Sequence, residues 1–95
     1  MLMEIMMSGG HFDYDQNRIS NIVVHIEDLI YNDSGSYKPE TIERFKQAVI
    51  ALKIAYVFAQ RIDWLVSGDD GEEDFHKRLL KDLNEINFSQ FEEQL

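Results

Sequence analysis

Two segments far apart in the chain hold most of the residues able to do chemistry: Ser8-Gly9-Gly10-His11-Phe12-Asp13-Tyr14 and Arg61-Ile62-Asp63-Trp64-Leu65-Val66-Ser67-Gly68-Asp69-Asp70-Gly71. Gly9, Gly10, Gly68 and Gly71 bring backbone amides close to whatever approaches them, as a phosphate-binding nest requires. Phe12, Tyr14 and Trp64 supply rings for stacking. Asp13, Asp63, Asp69 and Asp70 supply acceptors for ribose or base donors, and Arg61 supplies a fixed cation. Together they describe a site for a nucleotide-like ligand, with Gly9, Gly10, His11, Phe12, Tyr14, Arg61, Asp63, Trp64, Gly68, Asp69 and Asp70 as its candidate contacts. The same residues also suit a structural role. The three rings can plug an apolar helix end, and Arg61 can pair with Asp63 or Asp13.

Other chemistry is thinly represented. His11 with Asp13 has the groups for metal binding or proton transfer, and this pair would serve a small nucleotide-handling or metal-dependent hydrolase. A single His in a capping segment serves structure as readily. Glu73-x-x-His76 has the i, i+3 spacing of a di-metal carboxylate site, but that design needs a second such motif. The stretch from Asp63 to Asp74 has the length of a calcium loop with Gly68 in sixth place, yet Leu65 stands at a ligand position. No Ser/His/Asp order, P-loop or zinc-ligand spacing occurs, and no catalytic residue, cofactor or metal is assigned.

The elements that must bring the two segments together are helices. From Pro39 to Ser67 no internal Gly or Pro interrupts the chain, Pro39 suits a first helical position, and Gly68 is a stop signal. Ile42, Phe45, Val49 and Leu52 form one apolar stripe. From Ile50 to Val66 apolar residues lie nearly all round, so this half needs cover from other segments or from a second copy. Between about Asp15 and Tyr31, the residues Ile19, Ile22, Val23, Ile26, Leu29 and Ile30 predict a one-faced helix. Asp13 or Asp15 is its expected cap, and Arg18, Asn21, His25 and Asp28 mark the wet side.

The run 32–38 reads as a loop short enough for an antiparallel helical hairpin. After the loop 67–71, Asp70 with Glu73 has capping-box spacing. Phe75, Leu79, Leu83 or Leu80, and Ile86 give a third amphipathic face, with Asp82 on its wet side. Ser89 with Glu92, and Phe88, Phe91 and Leu95, suggest a short final helical turn. No heptad seam or repeat is evident. The expected fold is a single all-α domain over residues 1–95, dimeric or larger. Antiparallel packing leaves the long helix overhanging the shorter one by about ten residues, or ~15 Å. That overhang places SGGHFDY beside RIDWLVSGDDGEE at one pole.

Composition narrows the partners. With 44% hydrophobic and 12% aromatic residues the chain is a folding one, and its lack of cysteine suits a reducing compartment. The formal charge is −9, most of it after Asp69. Direct nucleic-acid binding is disfavoured, and an acidic face suits a basic partner if it is more than a solubility device. The apolar start MLMEIMM is too short and too acidic for a membrane span or a signal peptide, so a cytoplasmic protein is expected.

The two motifs, MSGGHFDY from Met7 and RIDWLVSGDDGEE from Arg61, with Ala55-Tyr56 and Phe75-His76-Lys77-Arg78-Leu79, resemble a family of small proteins of tailed phages, prophages and bacteria. The likeness covers most of Met7 to Leu83. It implies that Met7 is the usual start and residues 1–6 an extension, so that the segment 1–7 is expected to be dispensable. It carries no catalytic residue with it. Its phage context implies an accessory role in the host cytoplasm, such as inhibiting or sequestering a defence component. That component would be a nucleotide-like signal held by an oligomer or a basic host protein. A structural or regulatory interaction module is the remaining alternative.

Overall fold

The computed structural model describes residues 10–86. Its elements are helix α1 (Gln16–Asn32), a 3-10 turn (Ser34–Ser36), helix α2 (Pro39–Val66) and helix α3 (Glu72–Asn84). Among the described residues there is no strand, so the all-α expectation holds. No helix among them is long and apolar enough to cross a membrane. Gly9, residues 1–7 and the final turn around Phe88, Phe91 and Leu95 lie outside the described residues.

The long helix begins with Pro39 after an extended Lys38 and ends where Gly68 takes a φ of +86°. Gly68 adopts the left-handed conformation at the C-terminus, and the Asp69 N–H returns to the Trp64 carbonyl at 2.9 Å. Helix α1 lies along α2. Gln16 reaches Gln60 and Asp63, while Glu27 pairs with Lys53 at 3.4 Å, so positions on α2 fall as those on α1 rise. The core is Val23 and Ile30 against Ile42 and Val49, with Ile26, Phe45 and Leu52 packed around it.

Ile22 departs from the expected stripe and is 50% exposed. It sits about 100° round the helix from Val23, at the edge of the buried arc. Phe75, Leu79 and Leu83 on α3, and Ile86 just beyond it, are half-buried, whereas Leu80 is exposed.

Two cap assignments and one surface assignment are corrected. Asp15 is the N-cap of α1 but makes no side-chain cap bond. The N-cap of α3 is Gly71, because the Asp70 carboxylate is turned inward to Arg78 and Arg61. Asp82 is not on the wet side. It is half-buried against Arg61 on α2.

Candidate functional site

The convergence expected from helix lengths is present. Residues 10–12 lie against α2 at Asp63, although 51 to 53 positions separate them in sequence. Positions 42, 49, 56 and 63 recur every seven residues along the core side of α2, so Asp63 is placed as a core residue would be. It is fully buried. A buried carboxylate needs partners for its lone pairs, and the N-terminal segment provides them. The Gly10 N–H donates to Oδ2 at 3.0 Å, and the His11 and Phe12 N–H groups donate to Oδ1 at 2.6 and 3.4 Å. Gln16 Nε2 donates to Oδ2 at 2.8 Å, and Ser67 Oγ to Oδ1 at 3.3 Å.

Burial alone would raise the pKa of this carboxyl. The hydrogen bonds from Gln16, and then from Gly10, His11 and Phe12, outweigh it and hold Asp63 below its ordinary value. Three successive amides aimed at one anion make a nest of the kind that elsewhere holds phosphate. Here the anion is supplied from within the chain.

The backbone turns sharply to present these amides. Gly10 has φ +92°, and Asp13 and Tyr14 follow at +55° and +62°. Left-handed conformations cost non-glycine residues roughly 1–2 kcal/mol each, and the bonds to Asp63 offset that strain. A Cβ on Gly10 would come within 3.3 Å of the Tyr14 hydroxyl, so the tyrosine ring closes over the glycine. His11 is exposed and packs edge-on to Phe12, with ring centroids 5.2 Å apart.

Arg61 does not join this cluster. It is two residues from Asp63, hence about 200° round the helix, and points to the other side of α2. There Arg61 Nε donates to Asp82 at 2.6 Å, and its guanidinium lies 4.7 Å from the centre of the Trp64 ring. Asp70, whose side chain is 1% exposed, accepts from Arg78 and faces Arg61 Nη1 at 3.7 Å. Two arginines and two aspartates thus form a charge-balanced network between α2, the loop after it and α3. The expected pole therefore consists of two clusters back to back. Gly10, His11 and Phe12 meet Asp63 on one side; Arg61, Trp64 and Asp70 meet on the other, with Gly68 and exposed Asp69 in the turn between helices.

Gln16, Gln60, Arg78 and Asp82 belong to these clusters and were not among the expected contacts. Gln16 was detectable, because it lies one heptad before Val23 on the apolar face, where a polar residue needs a buried partner. Arg78 and Asp82 carry no such signal, since a charged residue on a surface helix is ordinary.

Two hollows flank the clusters. One of about 350 Å³ is lined by Phe12, Asp15, Gln16, Ile19 and Ala59. A larger groove of about 550 Å³ runs between α1, α2 and the end of α3, past Val23, Tyr56, Val57 and Ile86. Glu73 and His76 stand on the exposed first turns of α3, Glu73 paired with Lys77 and His76 packed on Phe75. Among the described residues no three His, Cys, Asp or Glu side chains group as metal ligands. Comparison of the chain with protein-family models, curated proteins and solved structures finds no match.

Proposed function

We propose that the chain is a non-enzymatic accessory binding protein of phage or prophage type, an antiparallel helical hairpin closed by α3 and assembled as an oligomer. In this reading it occupies a basic surface on a host defence protein. The supporting observation is the internal use of the pole's polar groups. The amides of Gly10, His11 and Phe12 already hold Asp63, so a nucleotide phosphate would have to displace a buried carboxylate of like charge. Arg61 is likewise engaged by Asp82. The exposed charge between the end of α2 and the first turn of α3 is instead acidic. Asp69, Glu72, Glu73 and Asp74 lie together at the start of α3, open to solvent. Such a patch speeds encounter with a cationic groove and fixes its register. The phage context rests on the sequence resemblance alone.

Capture of host proteins by the wild-type chain and by the variant Glu72→Lys/Glu73→Lys/Asp74→Lys tests this. A basic host protein should be retained by the wild type and lost by the variant, with the far-UV helix signal kept although the reversed first-turn charges of α3 lower the melting temperature somewhat. A cyclic or linear nucleotide that raises the wild-type melting temperature by several degrees would overturn the reading in favour of a nucleotide trap.

A further inference from the structure

The outer face of α2, opposite Val49, carries Ala48, Ala51, Ala55, Phe58, Ile62 and Leu65. This is an a/d heptad pattern of about two and a half repeats, below the length at which sequence alone argues for a coiled coil. The fold leaves it open. Ala51, Ala55, Phe58 and Ile62 are all exposed, as is the neighbouring Val66, because α1 packs on the far side of α2 and α3 beside Arg61.

The face is graded in size: its first half is alanine and its second half is large. We infer that it is the interface of an antiparallel homodimer in which α2 pairs with α2 of a second copy across a twofold axis near residues 56 and 57. In an antiparallel pair each a position faces a d position of the partner. That rule matches Ala48 with the partner's Leu65, Ala51 with the partner's Ile62, and Ala55 with the partner's Phe58.

Every layer then sets a small residue against a large one, and every pair occurs twice, as an isologous interface requires. A parallel pair would instead stack Phe58 on Phe58 and leave the alanine half gaping. The charges agree with the antiparallel register. It carries Arg44, exposed one turn before the seam, to the partner's Asp69, exposed one turn beyond the partner helix. The pairing covers the half of α2 that is apolar all round and that α1 and α3 leave partly open.

The chain has no cysteine, so introduced thiols report the register directly. In the double variant Ala51→Cys/Ile62→Cys, mild oxidation should convert most of the chain to a covalent dimer. The same positions cannot bridge within one helix, being about 16 Å apart along it. Ala51→Cys alone should stay monomeric on a denaturing gel, since its two copies are held about 16 Å apart in this register. Ile62→Glu should weaken dimerisation at least 100-fold by sedimentation while keeping the far-UV helix signal. A monomer at micromolar concentration in the wild type, or efficient cross-linking of Ala51→Cys by itself, would overturn the proposal. This pairing rests on the oligomer in the proposed function, while binding to a basic host protein has its own readout in the capture experiment, so the two can fail separately.

Discussion

Helix α2 neutralises carboxylates in two ways on its two sides. At Asp63 the negative charge is surrounded by dipoles: three backbone amides, the Gln16 amide and the Ser67 hydroxyl. At Asp70 and Asp82 it is met by opposite charge from Arg61 and Arg78. The first arrangement joins the N-terminal segment to the end of α2 around a carboxylate with no exposed surface. The second joins α2 to α3 and stays partly open, with the Arg78 side chain 50% exposed. The contrast separates two jobs. Dipoles fixed by the backbone hold one conformation of the chain, whereas flexible ion pairs hold one helix beside another and lose strength as water and salt reach them.

The largest effect should come from removing the dipole-held charge. Asp63→Ala strands three amides and Gln16 in a buried place, and should destabilise by about 3–5 kcal/mol in denaturant titrations. A loss below ~1 kcal/mol would mean that water replaces the carboxylate without difficulty.

Strong acid should remove this same contribution. The Asp63 pKa is depressed on folding, so its contribution is complete above the unfolded value near 3.8 and is lost as pH falls through the lower folded value. In Asp63→Asn this acid-dependent part of the stability should vanish, as seen by comparing denaturation midpoints from pH 5 downwards. An unchanged pH profile would assign the acid sensitivity elsewhere.

On the other side, Arg61→Ala removes the shared partner of Asp70 and Asp82 and uncovers Trp64. About 2–3 kcal/mol is expected, because the Asp70 side chain is buried and keeps only Arg78. Arg61 is thus a structural partner of α3 whose loss lowers the melting temperature.

Arg78→Ala should cost the least, about 1–2 kcal/mol: its half-exposed guanidinium is partly screened by solvent, but the buried Asp70 it serves would keep only Arg61 at 3.7 Å. Added salt should shrink the Arg78 effect and leave that of Asp63 nearly unchanged, which chemical denaturation in urea at two ionic strengths would measure. Equal salt responses would erase the distinction between the two sides.

How far these features could be read in the chain depends on the range of the interaction behind each. The helix from Pro39 to Val66, its stop at Gly68 and the stripe through Ile42, Val49 and Leu52 follow from local chemistry: a proline at the start, a glycine at the end, apolar spacing between. Convergence of the two motifs follows from helix lengths and short loops. The division of that pole does not, because composition reveals which groups meet at a helix end but not which side each takes. Arg61 and Asp63 looked like one site and are on opposite faces, so only the packing of α1 and α3 decided their partners. Asp82 was misplaced for the same reason. A charge on a one-faced helix is wet unless a neighbour offers a counterion, and that neighbour is 21 positions away. The alanine-to-large gradient on α2 was in the sequence throughout, but whether it faced core or solvent was set by where α1 and α3 came to rest.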